Sequence, residues 1–224
     1  MDKMKVPYNY LEQQFDADGT LVNDILEDIR ELVRTREFTL GPPVREFEEK
    51  FAALCGVKHA IGINSGTDAL ILILKALGIG SGDEVITVPN SFIATANAIM
   101  FVGAKPVFVD VDDEYLMDTN LVKEAITPKT KTILPVHLTG NPVFMTNLLN
   151  LSNRVCDKYI DIIEDAAQAI DASFHGIKVG GWGIAGEFSL HPLKNMNVWG
   201  DGGMVTTDNS VLAENIRLMR NHGL

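Results

Sequence analysis

Residues 160–169 read Ile160-Asp161-Ile162-Ile163-Glu164-Asp165-Ala166-Ala167-Gln168-Ala169. The isoleucine-rich run at 160–163 reads as a strand that ends at the two acids. Strand patterns also fall at 84–88, 106–109 and 132–136, the last with Pro135 near its end. Helical patterns fall at 21–33, 43–54, 69–77, 91–101, 121–126, from 141 to about 158, and 210–219. The alternation predicts an α/β fold with a largely parallel sheet. Ligands of such sheets sit at the carboxyl ends of strands. Asp165 lies just past one of those ends.

A second stretch supplies complementary chemistry. Phe188-Ser189-Leu190-His191-Pro192-Leu193-Lys194-Asn195 follows shortly after Asp165 and Gln168. An acid, an amide, a hydroxyl and a lysine in that order are the parts needed to hold pyridoxal 5'-phosphate (PLP). A lysine amine forms a Schiff base with an aldehyde, a carboxylate pairs with a protonated pyridine nitrogen, and a hydroxyl binds phosphate.

Asn64-Ser65-Gly66-Thr67-Asp68-Ala69-Leu70 opens an apolar segment that Gly78 closes. This reads as a buried helix with a small polar start and a glycine stop. Free amides and the helix dipole make such a start suitable for phosphate, although an ordinary helix cap has the same pattern.

Together these residues resemble the DegT/DnrJ/EryC1/StrS family of sugar aminotransferases, within the fold-type I PLP enzymes. The resemblance also takes in Phe38-Thr39-Leu40-Gly41-Pro42, Gly82-Asp83-Glu84-Val85-Ile86, the stretch from Phe92 to Ile99, the stretch from Gly103 to Asp110, and Arg220-Asn221-His222-Gly223. It implies the large domain of an aspartate aminotransferase-like PLP transferase, with a mostly parallel mixed sheet between helices. Residues 1–224 would be an N-terminal segment plus that domain. The family pattern continues into a smaller C-terminal domain, so the resemblance implies that the chain is part of a longer enzyme.

The resemblance further implies that Lys194 carries PLP and that Asp165 keeps the ring nitrogen protonated. Gln168 would bond the cofactor near Asp165, and Phe92 would stack on its ring. Ser189 would bind phosphate together with the amides around Gly66, Thr67 and Asp68. Glutamate would be the amino donor and a nucleotide-linked ketosugar the acceptor, in a homodimer; a cytoplasmic location is expected separately, from the lack of a signal-peptide pattern or a membrane-span pattern in the sequence. One rival is a sugar dehydrase of the same family, a branch with histidine where this chain has Lys194. Another is a PLP-binding regulatory or non-catalytic homologue.

Bulk properties fit a small-molecule enzyme. The chain has 224 residues, 46% of them hydrophobic, and a net charge of −11. An acidic chain is a poor partner for nucleic acid, which needs a basic face. No apolar run is long enough for a membrane span. Cys55 and Cys156 form no metal-binding or disulfide pattern and read as core residues.

Three features are decoys. Gly181-Trp182-Gly183-Ile184-Ala185-Gly186 matches G-x-G-x-x-G, but 187–190 reads as a strand and not as the required helix. Asp110, Asp112, Asp113 and Glu114 read as a solvated turn without the ligand pattern of a calcium loop. His137 reads as structural, and His191, three residues before Lys194, is near enough to line a pocket but is not expected to have a direct role.

Overall fold

The computed structural model describes residues 11, 19–152 and 159–223. They fall into two compact units, Met1–Phe47 and Glu48–Leu224. The first holds helix α1 (Thr20–Thr35) and the start of α2 (Pro42–Cys55). Exposed pairs Arg30–Glu27 at 2.8 Å and Arg34–Glu31 at 2.5 Å lie one turn apart along α1. Arg36 ends α1 in the left-handed region, its amide donating to Leu32 O. The helical pattern at 21–33 puts Leu21, Ile25, Ile29 and Leu32 on one face, but no residue of α1 is buried.

The second unit is an α/β sheet domain. After α2 its elements are β1 (His59–Ile63), α3 (Gly66–Ala76), β2 (Glu84–Thr87), α4 (Ile93–Phe101), β3 (Lys105–Phe108), α5 (Thr119–Ala125), β4 (Thr130–Ile133), α6 (Met145–Ser152), β5 (Asp161–Asp165), β6 (Ser173–Phe174), β7 (Ile177–Lys178), β8 (Ala185–Ser189), β9 (Gly203–Thr207) and α7 (Ser210–Arg220). The seven-stranded sheet has the order β1-β9-β8-β5-β4-β2-β3. Neighbours from β8 through β3 run parallel, whereas β9 is antiparallel to both β8 and β1. The sheet is therefore mixed and mostly parallel, as expected.

Strand β1 and the β6–β7 hairpin were not anticipated from the sequence pattern. Helix α6 begins at Met145, four residues later than expected, and its expected continuation across 153–158 lies outside the described residues. Two buried clusters hold the sheet. The larger includes Leu70, Ile73, Leu74, Ile86, Ile99, Ile133 and Ile163, all at most 1% exposed. The other joins Phe51, Cys55, Phe188, Leu190 and Met204, with Phe51 and Phe188 edge to face at 5.1 Å. Burial pushes the Cys55 thiol up to about 12, which suits a packing residue rather than a reactive one. Among the described residues, no helix is long and apolar enough to cross a membrane.

The end of β5 is fastened from both sides. The Asp165 amide donates to Pro135 O at 2.9 Å, and the His137 amide donates to Asp165 O at 3.0 Å. Glu164 is fully buried. Its carboxylate accepts from the amides of Gly180, Trp182 and Gly183, each at 2.8 Å, and from His137 Nε2 at 3.1 Å. Because His137 Nδ1 accepts from the Val143 amide at 3.1 Å, the proton lies on Nε2. The glycine-rich loop is thus a structural element wrapped around Glu164 that leads into β8. A side chain at Gly183 would overlap Ile162 O, so this close approach requires glycine.

Glu164→Ala leaves three amides and the His137 N–H without their acceptor. Each orphaned buried donor costs about 1–3 kcal/mol, so the loss should exceed about 3 kcal/mol in urea unfolding. A loss below about 1 kcal/mol would show that the loop is held by something else.

Candidate active site

The site gathers where β5, β8 and the start of α3 meet. Asp165 closes β5 and is 5% exposed. Thr95, on α4, donates to its Oδ2 at 2.7 Å, and the Ala167 amide donates to Oδ1 at 3.3 Å. These donors suit an ionised carboxylate in a buried place. Asp165 is the register partner of Glu187 in the parallel β5–β8 pair. Their side chains therefore share one sheet face, and Ser189, two residues on, shares it too.

That face meets the N-terminus of α3. Ser65 caps the helix, its hydroxyl accepting from the Asp68 amide at 3.1 Å. Gly66 is buried, and a Cβ there would overlap Glu187 Oε1 and lie 2.9 Å from Ser189 Cβ. The helix start is therefore pressed onto β8 more closely than any side chain permits. Thr67 and Asp68 are half-buried in the first turn.

Past β8 the chain makes a tight turn that carries Lys194. The Lys194 amide donates to His191 O at 2.8 Å, and Asn197 Nδ2 donates to Lys194 O at 3.1 Å. His191 Nδ1 accepts from the Leu193 amide at 3.2 Å, and Ser189 Oγ from the His191 amide at 3.4 Å. His191 is thus a turn-former, exposed to solvent. Lys194 is half-buried, and its positive charge acts on the buried Glu187 carboxyl.

Of the expected site residues, Asp165, Ser189, Lys194, Gly66, Thr67 and Asp68 converge on this region. Phe92 is the N-cap residue of α4 and is 72% exposed, so it is no part of the core. Its helix also carries Thr95. Gln168 lies exposed in the turn after β5. Two residues with clear roles were missed. Thr95 holds Asp165, and its only sequence signal is its place one turn after Phe92. Glu187 is buried beside Asp165, and its signal is the two-residue spacing from Ser189.

The decoys resolve into local structure. Asp112 Oδ1 accepts from the amides of Glu114 at 2.9 Å and Leu116 at 3.0 Å, which makes the acidic stretch a side-chain-stapled turn. Arg220 pairs with Glu48 and donates to Gly62 O at 3.0 Å, while Glu48 accepts from the Gly62 amide at 2.8 Å. This motif arginine clamps α7 to α2 and β1.

Comparison with known proteins shows the family and the fold. The model of the DegT/DnrJ/EryC1/StrS aminotransferase family matches residues 20–224. UDP-N-acetyl-3-dehydro-alpha-D-glucosamine 3-aminotransferase of Acidithiobacillus ferrooxidans is 48% identical over 204 residues, 91% of this chain and 54% of that protein. A pleiotropic regulatory protein of Geobacillus stearothermophilus is 42% identical over 221 residues, 98% of this chain and 58% of that protein. The crystal structure of NtdA from Bacillus subtilis with bound cofactor PMP superposes with a TM-score of 0.88 at 36% identity, covering 97% of this chain and 48% of that one. The chain thus spans about half the length of the relatives it matches. With a match over this much of its sequence and a shared fold, the chain belongs to the DegT/DnrJ/EryC1/StrS aminotransferase family.

Proposed function

We propose that the site binds PLP and serves the transfer of an amino group, from an amino acid such as glutamate, to the keto group of a nucleotide-linked deoxysugar. The observation that carries this reading is the shared sheet face of Asp165 and Ser189, packed against the start of α3 with the Lys194 turn beside it. The residues fit the cofactor. Asp165 is a buried carboxylate with two donors. The close approach at Gly66 leaves first-turn amides at a helix start, where an anion is favoured.

PLP, when bound, supplies an aldehyde and a ring that accepts electron density once its nitrogen is protonated. Lys194 Nζ would attach the cofactor and, once released, move a proton to and from the reacting carbon. Asp165 would pair with the ring nitrogen and keep its proton in place. Thr95 would fix the orientation of that carboxylate. Ser189 Oγ and the amides of Gly66 and Thr67 would hold the phosphate, while the Asp68 amide is taken by Ser65. Phe92 would cover one face of the ring, and Gln168 would bond the cofactor beside Asp165.

The family likeness supports the nucleotide sugar, since one relative is named for a UDP-linked substrate. A cytoplasmic homodimer is part of the same proposal. Exposed Ile93, Met100 and Phe101 on α4 and Phe108 on edge strand β3 offer an apolar association surface. A second reading, a regulatory PLP-binding protein, is favoured by the relative named as a pleiotropic regulatory protein. A cofactor absorbance that changes with glutamate, and reverts with a ketosugar, supports the transferase. Binding without such change supports the regulatory reading.

The residue roles set further outcomes for Lys194, Asp165, Phe92 and Gly66. Borohydride treatment of the PLP-loaded protein should fix the cofactor to the peptide containing Lys194, and labelling elsewhere would defeat that role. Asp165→Asn should lower turnover by roughly a hundred- to several-thousand-fold, from about 3–5 kcal/mol for breaking a buried pair. Near-normal turnover would sink the ring-nitrogen role, while Phe92→Ala should weaken PLP binding by about ten-fold or less. Gly66→Ala should cost about 1–3 kcal/mol of stability, as overpacking does. It should also weaken PLP binding, and unchanged affinity would remove the helix start from the phosphate site.

A further inference from the structure

We propose that Glu187 is a positioning residue that carries a proton in the folded protein and shares it with Asp165. A single negative charge, spread over two carboxyl groups, then faces the cofactor's ring nitrogen. The inference rests on the PLP reading only for that last step.

The geometry leaves few alternatives. Glu187 is 1% exposed, and neither of its side-chain oxygens receives a hydrogen bond from a donor; the group within hydrogen-bond reach is the carboxyl of Asp165, which can pair with it only if one of the two is protonated. A buried carboxylate without donors is among the costliest groups a protein can hold, and it takes up a proton instead. Its strand partner is Asp165, on the same face of the sheet. Asp165 already receives hydrogen bonds from Thr95 and Ala167, so the negative charge settles there. A neutral Glu187 then has one O–H to donate, and the Asp165 carboxylate is the adjoining acceptor.

The surrounding charges agree. From β5 the group facing Glu187 is Asp165, and from the turn after β8 it is Lys194. Burial first, then the charge of Asp165 and a hydrogen bond with its carboxyl, push the Glu187 carboxyl well above its ordinary 4.5, while Lys194 pulls the other way. From β9 the register partner is the uncharged Val205. From α3 the contact is the backbone at Gly66. The α3 dipole favours an anion, but no amide there donates to Glu187. A phosphate at that helix start would add negative charge and favour the neutral acid further.

In function, a neutral donor beside Asp165 fixes the direction of its free lone pairs and prevents a second charge from competing for the ring-nitrogen proton. Glutamine at 187 keeps a neutral donor, whereas alanine removes it.

The first test uses the full chain without cofactor. Infrared difference spectra of protein with ordinary and 13C-labelled glutamate should show a protonated carboxyl at neutral pH, lost in Glu187→Gln. Stability supplies a second readout. The folded state keeps the proton after the unfolded chain has lost it, so Glu187 lowers stability as pH rises from about 4.5 through its folded pKa. That slope, up to about ten-fold in the folded-to-unfolded ratio per pH unit, should be absent in Glu187→Gln. An ionised Glu187, or a slope unchanged in Glu187→Gln, overturns the proposal.

The third test measures PLP affinity by absorbance. Glu187→Gln should stay within about three-fold of wild type and Glu187→Ala should lose about ten-fold or more. Equal loss in both, or no loss in either, overturns the positioning role. If wild type binds no PLP, the proposed function fails, while the infrared and pH results still decide the state of Glu187.

Discussion

The end of β5 places two acids in succession inside the protein, and the fold around the site is arranged to accommodate them. Side chains alternate across a strand, so Glu164 and Asp165 point to opposite faces. Each must find donors, because a buried charge without them is not tolerated. Glu164 takes three loop amides and one imidazole N–H. That need winds residues 180–183 into a closed loop, and the loop delivers the chain into β8. Asp165 takes Thr95 and Ala167, which ties α4 to the strand end. The positions of Ser189 and Lys194 thus depend on how Glu164, which faces away from them, is solvated.

The parallel part of the sheet was legible because its strands are apolar runs separated by helices with glycine stops. Gly78, the glycine stop read from the sequence, and Gly103 each sit just past a helix end with positive φ. Less of the chain was legible where non-local contacts decide. His59-Ala60-Ile61-Gly62-Ile63 has no strong strand pattern, and its strand exists through pairing with β9, which lies more than a hundred residues later. The late start of α6 has a similar cause. The Val143 amide donates to His137 Nδ1, and Leu138–Gly140 forms a short 3-10 turn, so the chain enters the helix only at Met145.

The site divides in the same way. Lys194, Asp165 and Ser189 announce themselves by residue type and order, since their chemistry is rare in combination. Thr95 sits among alanines and isoleucine in an apolar helix, where packing is the natural reading. Only the tertiary approach of α4 to β5 shows its hydroxyl on Asp165. Glu187 reads as an ordinary polar strand residue. Its burial, and its alignment with Asp165, follow from the β5–β8 register, which no local pattern specifies.

Charge balance links these residues. The chain is acidic, and this face brings together two carboxyl groups with one nearby lysine. A bound phosphate would add more negative charge at the helix start. All of these cannot be ionised together in a place shielded from water. The hydrogen bonds decide which group yields. Asp165 has donors and can remain charged, while Glu187 has none and takes the proton. The same packing fixes residue 66, since the Glu187 carboxyl occupies the space a side chain there would need. Glycine at the helix start, neutral acid at 187 and charged acid at 165 are therefore parts of one constraint. Enlarging residue 66 displaces the neutral acid, and ionising that acid repels the charge at 165.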